Sequence, residues 1–176
     1  YIAASVHAYC PYNFAMGDGD HMTFSDTNKT ELDKIFKDIQ TTFTNEDIPV
    51  VIGEFSASNY NNTEARVDWA TYYLNWAKKL GIPCFLWDNN AINNGSNASE
   101  SHGYLDRSSL QWFSASEPVI DAMLSVLDDS SVKWGSERHL PEYKHSDLSD
   151  ATSVIYENAE GGKFVDDKGN DLSLIH

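Results

Sequence analysis

The tripeptide Gly53-Glu54-Phe55 closes an apolar run, Ile48-Pro49-Val50-Val51-Ile52, that reads as a buried strand. A carboxylate in that position is costly to ionise unless something holds it, so Glu54 is either a turn residue that escapes to water or a working acid. Two more strand-like runs end in comparable chemistry: His7 and Tyr9 before it, and Trp87-Asp88-Asn89 after it. His7 and Tyr9 stand two apart and point to one side of their strand, and Glu54 follows Ile52 by the same period. Taken singly, each has an ordinary reading as a solvated carboxylate, a packed surface pair or a core indole. Their recurrence at three successive strand ends reads as one face of a catalytic barrel.

The elements that must carry these groups alternate. Residues 1–9, 48–55 and 82–87 are expected strands, and 10–27 is a loop rich in Gly, Asp, Pro and Asn. Asn28 with Glu31 has the spacing of a capping box and opens a helix striped by Leu32, Ile35, Phe36, Ile39 and Phe43. Asn45-Glu46-Asp47 is a turn. Asn62 or Thr63 caps the next helix, striped by Val67, Ala70, Leu74 and Ala77, and Gly81 ends it as a left-handed cap before Pro83. A polar loop from Asp88 to about Ser114 precedes a last helix entered through Ser116-Glu117-Pro118, with Val119, Ile120, Met123, Leu124 and Leu127 inward. Strand, helix, strand, helix, strand, helix implies an α/β fold with parallel strands and right-handed crossovers. A doubly wound sheet and a (β/α) barrel both satisfy this. Three units cannot close eight strands, so in the second case the chain is the carboxyl-terminal part of a (β/α)8 TIM barrel.

From about residue 128 the composition turns polar and acidic. Residues 128–150 read as a linker and 151–176 as the start of a small β domain, with strands at 152–156 and 172–175 around a turn at 166–170. The 176 residues carry a formal net charge of −15, which excludes a nucleic-acid binder built on Lys and Arg clusters. No apolar run approaches the ~20 residues a membrane span needs. The chain opens directly in a strand without Met, and we expect an amino-terminal part of a larger protein ahead of it. Cys10 and Cys84 read as small buried thiols rather than a disulfide framework. Asp18-Gly19-Asp20-His21 lacks the full spacing of a calcium loop and reads as an acidic turn.

Ser5-Val6-His7-Ala8-Tyr9, Val51-Ile52-Gly53-Glu54-Phe55 and Phe85-Leu86-Trp87-Asp88-Asn89 resemble the sixth, seventh and eighth strand ends of glycoside hydrolase family 5, the retaining endoglucanases and their relatives. Gly103-Tyr104-Leu105-Asp106-Arg107, followed by Trp112, resembles the segment after the eighth strand in the bacterial branch. The likeness covers residues 1 to about 127. It implies that Glu54 is the nucleophile, that Tyr9 hydrogen-bonds it, that His7 lies beside the cleaved sugar, that Trp87 is the platform under that sugar, and that Asn89 contacts sugar hydroxyls. It places the acid/base Glu upstream of Tyr1, so the segment alone is expected not to hydrolyse cellulose. Where the branch often has Gly, this chain has Asn90.

The resemblance also implies a secreted or cell-surface enzyme cleaving β-1,4-glucan, with the remainder of the barrel as partner and no metal or organic cofactor. Two carboxyl groups and a water suffice for a retaining mechanism. The chain's five Trp, nine Tyr and eight Phe suit sugar faces, though packing uses many of them. Asp106 with Arg107 is expected to form a structural ion pair or loop clamp. The competing readings are a non-catalytic carbohydrate-binding fragment, a β-mannanase, xyloglucanase, lichenase or xylanase, and a doubly wound protein for another ligand. The last would be expected to carry a Gly-rich phosphate loop, and none follows a strand here. The tail would begin an accessory β domain, of the carbohydrate-binding kind.

Overall fold

The structure, a computed structural model, describes residues 3–17, 21–93 and 98–131, together with the backbone of 156–158 and 163–165. The chain divides into two compact units, Tyr1–Glu137 and Arg138–His176.

In the first unit three strands, β1 (Ala4–His7), β2 (Val50–Phe55) and β3 (Cys84–Leu86), form one parallel sheet in chain order. They are shorter than the expected runs. A four-residue helix α1 (Tyr12–Ala15) lies inside the segment read as loop. The long helices are α2 (Asp26–Thr42), α3 (Thr63–Leu80) and α4 (Glu117–Asp128). α2 packs beside α3, and α3 against α4, so helices neighbouring in sequence also neighbour in space. That is one continuous helical layer, as in a barrel wall, rather than helices dealt to both faces of a sheet.

The cap of α2 is Ser25, not Asn28. Ser25 Oγ accepts from the Asn28 N–H at 3.3 Å, and Asn28 Oδ1 accepts from the Ser25 N–H at 2.9 Å. The box is real but begins three residues earlier, because Asn at the third helical position does the work expected of Glu31. Gly81 ends α3 at φ 67°, its N–H shared by the Ala77 and Lys78 carbonyls. Asn62 precedes α3 without capping it; its side chain instead joins the Tyr60 N–H to the His21 carbonyl.

The core lies between sheet and helices. Leu32, Phe36, Ile39, Val50, Ile52, Phe55, Trp69, Tyr73, Val119 and Met123 are all buried there. Each large apolar side chain so buried contributes roughly 1.5–3 kcal/mol. Trp69 was not among the expected inward positions, and Leu124 and Leu127, which were, are 52% and 41% exposed; Val126 faces in beside them. The polar positions buried on α3 are Arg66 and Lys78. Lys78 Nζ donates to the Val126, Leu127 and Asp129 carbonyls, satisfying the open end of α4.

In the first unit two short strands, β4 (Leu105–Asp106) and β5 (Gln111–Trp112), pair antiparallel, and in the second unit β6 (Tyr156–Asn158) pairs antiparallel with β7 (Lys163–Val165). The expected strand at 172–175 and turn at 166–170 lie outside the described residues.

Candidate active site

The strand ends are organised by a bulge. Val6 pairs with Ile52 but His7 pairs with Glu54, leaving Gly53 as an extra residue on β2. Ile52 and Phe55 are therefore both buried against the helices although three apart, and β3 shows the same offset, Cys84 opposite Ile52 and Leu86 opposite Phe55. Strict alternation would have kept Glu54 on the buried side with Ile52; the bulge turns it to the open face. This corrects the expectation that Glu54 follows Ile52 by the two-residue period. Gly53 is closely approached by its neighbours. A Cβ on Gly53 would sit 3.0 Å from Ser5 Oγ and 3.3 Å from His7 Nε2.

On the open face Tyr9 Oη donates to Glu54 Oε2 at 2.6 Å, and His7 Nδ1 stands 3.4 Å from the same oxygen. The Glu54 side chain is 27% exposed and that of His7 58%. Burial raises the Tyr9 pKa well above the usual phenol range, and the hydrogen bond to Glu54 and the charges of Glu54 and Glu100 add to it. Tyr9 is thus a fixed donor that keeps its proton throughout the ordinary pH range. A charge-assisted O–H···O⁻ bond of this length is among the strong ones.

Tyr9 is held from behind by α3. Tyr73 Oη donates to the Ala8 carbonyl at 3.0 Å and Trp69 Nε1 to the Cys10 carbonyl at 2.9 Å, while the Ala8 N–H donates to the Glu54 carbonyl at 2.9 Å. Cys10 is a buried free thiol that burial pushes up to about 12, as expected of a packing cysteine.

Trp87 follows β3, its N–H donating to the Phe55 carbonyl at 3.0 Å, abreast of the residue after Glu54. Phe85 and Trp87, two apart, are 61% and 42% exposed on the face away from the helices. Asn89 is engaged within its own loop: Nδ2 donates to the Glu100 carbonyl and Oδ1 accepts from the Ala91 N–H. Asn90 adopts φ 59°, the left-handed conformation that Gly takes most easily and Asn tolerates, with its N–H on Asp88 Oδ1. Asp88 also accepts from the Tyr104 and Leu105 N–H groups. Arg107 donates to the Asp88 carbonyl at 2.7 Å and lies 3.6 Å from its carboxylate. Arg107 is therefore a loop clamp, but its ionic partner is Asp88. Asp106 accepts from Ser108 and Ser109 instead, and those bonds hold its pKa down at about 2.

Beneath these loops lies a buried polar cluster that the sequence did not announce. His102, Ser56, Ser58, Tyr104 and Arg66 are all essentially inaccessible. Arg66 donates to the Ala57 and Ala115 carbonyls and stands 4.9 Å over the Tyr104 ring. His102 meets Tyr9 edge-on, ring centres 5.9 Å apart. No periodicity marks these residues, because they come from two loops and one helix. The one available hint was Gly103-Tyr104, where a Cβ on Gly103 would strike the Ala91 carbonyl at 2.5 Å. Asp18 and Asp20 lie outside the described residues; His21 is stacked on Tyr60 at 3.6 Å.

Residues 1–93 match the family model described as Cellulase (glycosyl hydrolase family 5). The chain is 44% identical over 115 residues to Endoglucanase A of Clostridium longisporum, covering 64% of this chain and 22% of the relative. Among solved structures, a GH5-4 broad specificity endoglucanase from Ruminococcus flavefaciens superposes with TM-score 0.69 at 54% identity, covering 71% of this chain and 36% of that one. Another, from Ruminococcus champanellensis with bound cellotriose, gives TM-score 0.61 at 36% identity over 68% and 33%. The chain thus spans about a fifth to a third of the length of these relatives, and its three βα units are a fragment of a (β/α)8 barrel. It belongs to glycosyl hydrolase family 5.

Proposed function

We propose that this chain supplies the nucleophile half of a retaining, endo-acting β-1,4-glucanase. The carrying observation is the Glu54 carboxylate held at 2.6 Å by the Tyr9 hydroxyl, with His7 at 3.4 Å from the same oxygen. A nucleophile must be ionised and aimed, and a donor that cannot easily lose its proton provides both. The other Glu54 oxygen attacks the anomeric carbon as the C1–O bond to the leaving sugar breaks. An acid/base carboxyl about 5–5.5 Å away protonates the leaving oxygen, then deprotonates the water that releases the glycosyl group. We assign that second carboxyl to a segment outside these 176 residues, since the relatives are about three to five times longer than the part this chain matches.

Trp87 is the proposed apolar platform, its exposed ring meeting the C–H face of a glucose unit. Asn89 contributes through the loop shape that its two hydrogen bonds maintain. The substrate class is β-glucan: similar proteins carry bound cellotriose and cellotetraose. One similar structure is described as xyloglucan-specific and another as a lichenase, so mixed-linkage and branched glucans belong to the same proposal. Polymers of this size are met outside the cell, which supports reading the enzyme as extracellular or cell-surface attached. The antiparallel β6–β7 pair supports reading the carboxyl-terminal unit as part of an accessory β module.

The test is trapping. A 2-deoxy-2-fluoro-cellobioside with a good leaving group should label the complete enzyme once, on the peptide carrying Glu54. Glu54→Gln should lower kcat by roughly four orders of magnitude, the scale of removing a nucleophile. Labelling at another carboxylate, or turnover that survives Glu54→Gln, refutes the assignment. Cello-oligosaccharide binding without any turnover in the complete protein would make it a sugar-binding protein instead.

A further inference from the structure

Behind the rim runs a closed polar chain that the proposed reaction leaves unused. Tyr104 Oη lies 3.2 Å from Ser56 Oγ, Ser56 Oγ 2.8 Å from His102 Nδ1, His102 Nε2 2.9 Å from Ser58 Oγ, and Ser58 Oγ 2.7 Å from the Ser99 carbonyl. Tyr104, Ser56, His102 and Ser58 are each no more than 1% exposed.

Counting protons gives the chain a direction. The Ser99 carbonyl can only accept, so the single Ser58 hydroxyl proton points at it. Ser58 Oγ then accepts from His102, and Nε2 carries a proton. In a neutral imidazole Nδ1 is the acceptor, so Ser56 donates to it and Tyr104 donates to Ser56. Every donor is used in one sense. A charged His102 would reverse the upper half: Ser56 would accept from Nδ1–H and donate to Tyr104, whose own proton would be left with the 3.4 Å contact to the Ala57 carbonyl. Burial holds His102 below the ordinary imidazole range. The Glu100 charge opposes this, the Arg66 charge reinforces it, and the Ser99 carbonyl opposes it again.

The same ring carries the edge contact with Tyr9, at 5.9 Å and 68°. Tyr9 is the residue that donates to Glu54.

We propose that His102, locked as the neutral Nε2–H tautomer between Ser56 and Ser58, is a positioning residue that sets the Tyr9 ring and through it the aim of Glu54. This rests on Glu54 being the nucleophile. The groups facing His102 are Ser56 and Ser58 from the segment after β2, Tyr104 and Glu100 from its own loop, Arg66 from α3, and Tyr9 from the end of β1. Its chemistry is mechanical: a buried ring that cannot turn without breaking two hydrogen bonds holds the aromatic ring packed on it.

Two measurements on the complete enzyme test it. Nitrogen NMR of ¹⁵N-histidine-labelled protein should show one imidazole with a protonated Nε2 and a bare Nδ1, unchanged as pH falls through about 6.5, where an ordinary imidazole titrates. A Nδ1–H tautomer at that position, or a charged ring at pH about 6.5, overturns the proposal. In kinetics, His102→Phe keeps an aromatic ring but removes both bonds, and Ser58→Ala removes the acceptor of Nε2–H. Both should lower kcat about 10- to 100-fold while KM stays within about twofold, the signature of misaligned chemistry rather than lost binding. Full kcat in either folded variant overturns it; if His102→Phe does not fold, Ser58→Ala and the tautomer decide. Loss of activity in Glu54→Gln with full activity in His102→Phe refutes the positioning role alone, whereas full activity in both refutes the nucleophile assignment.

Discussion

The open rim and the buried cluster behind it are built on opposite terms. At the rim, His7 and Trp87 are exposed, and Glu54 is tied down through one short hydrogen bond and a longer contact. Behind it, Arg66 and His102 are inaccessible and hydrogen-bonded to Ser56, Ser58, Ser116 and main-chain carbonyls. A site that must admit sugar and water cannot bury its own reacting groups. Its precision has to come from what lies behind them, where an unmade hydrogen bond is costly enough to enforce one geometry.

That contrast breaks most sharply at Arg66. Its guanidinium is buried on carbonyls and a tyrosine ring, so Arg66→Met removes a donor from the Ala57 and Ala115 carbonyls, leaving them the 3.4 Å Tyr104 contact and the Thr63 hydroxyl. We expect a loss of about 3 kcal/mol, read from urea unfolding. An unchanged midpoint would show that the cluster is not tightly coupled. At the rim the effect should fall on rate instead. Tyr9→Phe removes the donor to Glu54, and kcat should drop about 100-fold with a melting temperature within a few degrees of wild type. A large stability loss with intact kcat would invert the comparison.

Gly53→Ala probes the join between the two regions. The new methyl meets Ser5 and the His7 ring, so His7 must shift by a few tenths of an ångström. We expect about tenfold in kcat/KM, with crystallography showing the His7 displacement. The smallest effect lies far from both regions. Asp33 accepts from Tyr72 and Trp76, and these bonds, opposed in part by burial, hold its pKa below the ordinary carboxylate range. A carboxylate depressed in the folded state stabilises fully above its unfolded pKa of about 3.9, and this is lost as pH falls through the lower folded value. Asp33→Asn should cost about 1 kcal/mol at pH 7, with the difference from wild type shrinking below about pH 3.9. A difference independent of pH would assign the effect to packing.

Much of this molecule could be read in its residues one element at a time. The stripes of α2 and α3, the Gly81 cap and the apolar run ahead of Glu54 obey local rules, because helix period and backbone conformation are properties of neighbouring residues. Tyr9, His7 and Glu54 were legible as strand ends with chemistry. The bulge was not, since an extra residue shows only against the partner strand's count. Nor was the capping role of Ser25, which depended on whether Asn28 or Glu31 reached back. The pairing of Arg107 with Asp88 rather than Asp106 required the loop to fold first.

The order of elements, most of the inward positions and the candidate reacting side chains were therefore legible in the chain itself. Whether those side chains share one oxygen, which face Glu54 takes and what stands behind Tyr9 were decided only by tertiary structure. The physical reason is range: propensity and periodicity act over a few residues, whereas Tyr9, Glu54, Arg66 and His102 span most of the first unit and meet only after the sheet and its loops close.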